Sequence, residues 1–327
     1  MIHMEGNQMT NFQVYKKTLP FSLVEFLFGL VGLALFAGAA ALGYFVCKDK
    51  EPAVAIIGLI IGAVVGGLLA TVISIFFSNR IKCAQIAMMT KGVTENSLPE
   101  HTYRAGLDEM KGKFGKITLF WVITSAIKGV FREVGRGTTK VGQAVGGDVG
   151  GSIASAVDTG VQILISYLCD CCLGWIFYRK DVNAFKAGCE GAVIFFKHGK
   201  TLLKNVGRIF GMGFLSFLVI AGATTGILYL IFNALPNLFI SLRDTIASLG
   251  EVPAFLNDPR ILMIVSAFII GVIFWSIVHS VLIRPFVLVG VLRNYMTAGI
   301  KNMPTEADIK DLEKRSPKLA RFAAKAE

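Results

Sequence analysis

Two runs near the amino terminus, Phe21–Val46 and Ala53–Phe77, consist almost wholly of Leu, Ile, Val, Phe, Ala and Gly. A bilayer core about 30 Å thick takes about 20 such residues as a helix. Lipid offers no partners to exposed backbone, so runs of this length become transmembrane helices. Ile209–Phe232 and Ile261–Ile283 have the same character. Two further runs are interrupted: Ile117–Phe131 is short and holds Lys128, and Ile153–Tyr178 holds Asp158 and Asp170. Counting both predicts an all-α polytopic membrane protein with about six transmembrane helices. Four spans plus a re-entrant hairpin is the alternative. Composition agrees, with 54% hydrophobic and 17% charged residues and a mean hydropathy of +0.63; a soluble domain is about 25% charged.

Charge placement orients the chain. With six spans and both termini inside, segments 1–20, 78–116, 179–208 and 284–327 are inner and hold 25 Lys and Arg. Segments 47–52, 132–152 and 233–260 are outer and hold 7. That asymmetry is the positive-inside bias, and it puts both termini in the cytoplasm. The net charge of +11 then reports orientation and attraction to anionic lipid heads. No basic helix or aromatic platform stands apart to bind nucleic acid. The first apolar run exceeds the core of a cleaved signal and reads as a retained span.

The expected organisation is a cytoplasmic amino terminus (1–20), a transmembrane domain (21–303) and a cytoplasmic amphipathic tail (304–327). The inner segment 78–116 reads as short surface helices. In the tail, Thr305 to Asp308 resembles a capping box, and Ser316–Pro317 has the chemistry of a second helix start. Leu312, Leu319 and Phe322 give the tail an apolar edge, suited to the membrane surface or to the protein itself.

From Val141 to Val161 small residues recur every four positions beside a valine ridge, with Gly142, Gly146 and Gly150 in one row. In a bilayer such a row lets two helix backbones approach closely. The segment predicts a glycine-zipper helix that docks to its own chain, to a second copy in a homo-oligomer, or to a larger membrane complex. A glycine-rich loop is the competing reading, although linkers keep no valine register. Gly58, Gly62 and Gly66 form a second row, which reads as a packing seam.

Ionisable groups within apolar runs are costly and mark solute pathways by default. Glu25, Lys128, Asp158, His279 and Arg284 are the candidates. Glu25, Lys128 and Arg284 also lie close enough to a boundary to extend their heads into water. No GxSxG, HExxH, paired-carboxylate or nucleotide-binding pattern is present, so neither enzymatic activity nor a cofactor is expected. Cys169, Cys171 and Cys172 have three readings. They could join Cys189 or His198 around zinc, carry reversible palmitoylation, or pack as small apolar residues. With four scattered histidines, no metal site is expected.

The stretch CDCCLGWIFYRKDVNAFKAGCEGAVIFFKHGKTLLKNVGRIFGMGFLSF, residues 169–217, resembles the carboxyl-terminal half of choline transporter-like proteins. The matching positions are Cys172-Leu173, Asn183-Ala184-Phe185, and Leu202-Leu203 with Asn205. The resemblance continues loosely into Ser266–Arg293 and covers at most the last 180 residues or so. It implies a membrane transport protein moving a small solute or ion, including a cationic one. A quaternary ammonium would want aromatic faces, and the available rings are Tyr167, Tyr229, Phe274 and Trp275. A second class stays open: a non-catalytic structural membrane subunit that oligomerises or docks through its glycine-rich helix.

Overall fold

A computed structural model describes residues 8–48, 50, 52–114, 125–130, 148–202, 206–247 and 258–324. Every regular element among them is helical. The first four helices are α1 (Asn11–Cys47), α2 (Pro52–Ile73), α3 (Asn79–Thr94) and α4 (Thr102–Phe114). Then come α5 (Asp148–Tyr178), α6 (Ala184–Leu202), α7 (Val206–Ser216), α8 (Gly222–Asn233) and α9 (Pro236–Ala247). The last four are α10 (Pro259–Val278), α11 (Arg284–Lys301), α12 (Glu306–Arg315) and α13 (Pro317–Ala323). A short helical stretch also covers 125–130. Single π turns at Ser74–Ser78, Phe217–Ala221 and His279–Ile283 join α2 to α3, α7 to α8 and α10 to α11.

Four continuous helical runs have the length and apolar composition to cross a membrane: Asn11–Cys47, Val54–Thr94, Gly207–Asn233 and Pro259–Lys301. Most of their outward side chains are apolar, with Val46 78% and Leu230 70% exposed, a surface that suits lipid rather than water. Gln162–Tyr178 is apolar but shorter. The expected span at 117–131 falls mostly outside the described residues, as do Gly142 and Gly146. Asp158 and Gly150 lie within α5, where only side chains from 162 onward are described.

The chain divides into two compact units. The first comprises 1–21, 82–209 and 285–327. Its core gathers Trp175, Tyr295, Phe21, Met88, Met89 and Leu292, each below 2% exposed. Glycines permit that density. A Cβ on Gly299 would lie 2.6 Å from Trp175 Cζ3, and one on Gly174 would lie 2.7 Å from Leu292 Cδ1. Two ion pairs are built into this core. Lys82 Nζ meets Asp170 at 3.2 Å, and Glu190 accepts both from Trp175 Nε1 at 2.9 Å and from Arg179 Nη1 at 2.9 Å. Lys113 Nζ donates to the carbonyls of Arg179 and Val182 just past the end of α5, at 2.6 and 3.1 Å.

The tail folds as its chemistry suggests. Thr305 and Asp308 form a reciprocal capping box on α12, and Ser316 Oγ accepts from the Leu319 amide to start α13. The tail lies on the protein. Lys186 pairs with Glu306 at 3.1 Å and Lys197 with Asp308 at 2.8 Å, while Ile309, Leu312 and Leu319 are buried. The ammonium of Lys197, with the Thr305 amide and hydroxyl, holds the Asp308 carboxyl down at about 2.

The second unit comprises 22–81 and 210–284. Within it α1 and α2 meet along Gly43, Gly58, Gly62 and Gly66. A Cβ on Gly58 would strike the Gly43 carbonyl, one on Gly62 the Ala39 carbonyl, and one on Gly66 would lie 2.7 Å from the Leu35 carbonyl. The row of Gly58, Gly62 and Gly66 is therefore a backbone-to-backbone seam, the close approach that small residues allow in lipid. Asp258 caps α10 by accepting from the Arg260 amide at 2.8 Å, with Pro259 behind it. Both residues suit a helix start.

Candidate intramembrane groove

In the second unit, Gly29 and Gly32 of α1 leave a gap. A Cβ on Gly29 would touch Ile277 Cγ2 at 3.2 Å, and one on Gly32 would touch Ala70 Cβ at 3.4 Å. Around this gap lies a groove of about 390 Å³, lined by Glu25 and Phe28 of α1, by Thr71, Ser74 and Ser78, and by Ile277, Ser280 and Val281. Ser74 and Ser78 bound one π turn, while Ser280 and Val281 lie within another. Such turns recur at functional sites because they widen a helix locally.

The groove is polar where the surrounding helices are not. Ser78 Oγ donates to Glu25 Oε1 at 2.8 Å. Thr71 Oγ1 donates to the Gly67 carbonyl at 2.7 Å, and Ser280 Oγ to the Ile277 carbonyl at 3.0 Å. Each hydroxyl has one proton to give, so these three oxygens keep lone pairs that can accept. With Glu25 they make a lining that complements a positive or donor-rich solute.

The other sequence candidates distribute differently. His279 is half-buried one residue before Ser280. Its ring lies 5.2 Å from that of Trp275, and Trp275 Nε1 donates to Ser216 Oγ at 3.2 Å. Phe217 meets Trp275 edge-on at 5.1 Å. These residues form a polar knot between α7 and α10 that is not part of the groove lining. Arg284 closes the adjacent π turn through its amide to the His279 carbonyl. Lys128 is exposed on 125–130, in the first unit. The four candidate rings are divided between the units, Tyr167 in the first and Tyr229, Phe274 and Trp275 in the second. Tyr167 is buried in the first unit, Tyr229 packs on Phe239, Leu262 and Met263, and Phe274 is half-buried on α10.

Cys169, Cys171 and Cys172 are free thiols, at most 2% exposed. Cys172 Sγ lies 3.4 Å from the Tyr295 hydroxyl, which donates to the Gly191 carbonyl. The packing reading describes them as they stand, and an acyl chain would need them out of this core. Among the described residues no group of three or more His, Cys, Asp or Glu could hold a metal ion.

The hydroxyls of the groove escaped attention in the sequence, although Thr71, Ser74 and Ser78 recur at i, i+3 and i+7, one helix face. Ser280 had no such pattern, because only folding carries it to Glu25. No family model, no curated protein and no solved structure matches the chain.

Proposed function

We propose that this chain is an integral membrane transport protein with four spans, and that a small solute or ion passes by the groove at Glu25. The observation that carries the reading is a carboxylate and several hydroxyls set between apolar helices, two of which change to π turns there. An ionisable group at membrane depth is expensive, and a solute path is its usual reason. The resemblance to choline transporter-like proteins makes choline the first solute to test, with sodium as the small-ion comparison. Phe28 is the aromatic ring of the lining, stacked on Phe77 at 5.3 Å.

Four spans with both termini cytoplasmic put 29 Lys and Arg inside and 4 outside. Limited to the twenty residues flanking each inner end, the ratio is still 12 to 4, the range over which the bias acts. Residues 167–177 are packed in protein rather than lipid, and Asp170 has Lys82 as a counter-charge. A single cysteine at Lys140, on a background without native cysteines, separates the topologies. It should label from the same side as one at Ser97 and the opposite side from one at Asn237. Labelling together with Asn237 would restore six spans.

Function is tested in reconstituted vesicles. Glu25→Gln should cut uptake of the transported cation about tenfold or more, the scale of one lost contact to a charged group, with protein yield unchanged. Vesicles of the parent protein that take up neither choline nor sodium would favour the structural subunit. Gly222 and Gly226 support that second reading. Nothing among the described residues lies within 4 Å of a Cβ placed on either, so α8 offers a small-residue face to a partner helix.

A further inference from the structure

Arg208 stands in the first turn of α7 and is the second residue of the apolar run Gly207–Asn233. Its guanidinium occupies a built seat. Cζ lies 5.7 Å from the centroid of the Phe286 ring, and that ring is braced edge-on by Tyr15 at 5.4 Å. Gly290, one turn beyond Phe286 on α11, supplies the notch. A Cβ there would overlap Arg208 Nη1 and lie 2.7 Å from Cζ. The arginine is half-buried yet spends its donors on no acceptor among the described residues.

The two other half-buried arginines described in the first unit differ. Arg179 is shared between Glu190 and Asp181, and Arg293 donates to Asn11 Oδ1 at 2.7 Å and to the Met9 carbonyl. A guanidinium carries five N–H donors in a rigid fork matched to phosphate oxygens. Held against a ring and a backbone notch, it has lost its rotamer freedom before any ligand arrives. Its level is where an apolar run begins, the depth of lipid headgroups. Lys16 and Lys17 follow Tyr15 in the chain and add positive potential of the kind that recruits anionic lipids.

We infer that Arg208, seated between Phe286 and Gly290, binds the phosphate of an anionic phospholipid. Free phosphate presents the same oxygens. The lipid is favoured because the seat joins two membrane-crossing runs, Gly207–Asn233 and Pro259–Lys301, at the boundary where headgroups are concentrated.

The test uses the full chain in neutral detergent, read by native mass spectrometry and thermal unfolding. The probes are dioctanoyl phosphatidylglycerol, dioctanoyl phosphatidylcholine and inorganic phosphate at matched concentration. Phosphatidylglycerol should appear as a retained adduct and raise the unfolding midpoint, and the other two should do neither. Arg208→Gln should weaken that binding about five- to tenfold, the scale of one basic side chain at a lipid surface. Gly290→Ala should weaken it comparably with net charge unchanged, because the methyl evicts the guanidinium. Lys16→Gln should have the smaller effect. Undiminished binding in Arg208→Gln overturns the assignment. So does stabilisation by inorganic phosphate equal to that by the lipid, which would make the ligand a soluble anion.

Discussion

Gly62→Leu should abolish recovery of monodisperse protein, while Gly38→Leu, on the same pair of helices, should leave it intact. At Gly62 the first added atom meets the Ala39 carbonyl oxygen and lies 2.8 Å from its carbon. Backbone cannot rotate aside as a side chain does. Overpacking a well-filled core typically costs about 1–3 kcal/mol, and a clash with main chain should exceed that range because α1 and α2 must separate. At Gly38 nothing lies within 4 Å among the described residues, so leucine there adds one more lipid-facing side chain. Fluorescence-detected size exclusion and a thermal melt in detergent give the answer. Equal behaviour of the two variants would mean that the seam tolerates separation and that the glycines are incidental.

Glu190→Ala should lower the unfolding free energy of the first unit by about 3–5 kcal/mol, the usual cost of breaking one side of a buried ion pair. Glu190 is 3% exposed and Arg179 11% by side chain. Burial pushes the Glu190 carboxyl up, and the Trp175 indole and Arg179 pull it back. Removing it leaves the Trp175 N–H unmatched in the core. Asp181 still holds Arg179 through two bonds of 2.8 Å, which limits the loss. Glu190→Gln should cost less than alanine, because an amide oxygen can still accept from Trp175. Denaturant unfolding followed by Trp fluorescence measures both, and an alanine variant within 1 kcal/mol of the parent, well below that buried-pair range, would show the network to be dispensable.

Much of the membrane architecture was legible because lipid imposes one rule on every residue it touches. Phe21–Val46 and Ala53–Phe77 satisfy that rule by length and composition alone. Local chemistry was legible for the same reason of short range: Asp258-Pro259 and Thr305 with Asp308 act on amides within three residues. Ile153–Tyr178 shows the limit. Its later residues have the apolar composition of a span, yet 167–177 is buried in the first unit, where Asp170 finds Lys82 from 88 positions earlier. Composition cannot distinguish a helix buried in lipid from one buried in protein, since both exclude water.

What the sequence alone determined is the helical class, the four strongest membrane runs, the small-residue row at Gly58, Gly62 and Gly66, and the caps of the tail. Each depends on residues within a few turns of one another. What only the tertiary structure decided is which polar groups meet. Glu25 joins Ser78 across 53 positions, Ser280 comes to the same groove from a different helix, and Trp175, Arg179 and Glu190 close one network. Long-range pairing of this kind follows from how the helices pack, and side-chain spacing along one chain carries no record of that.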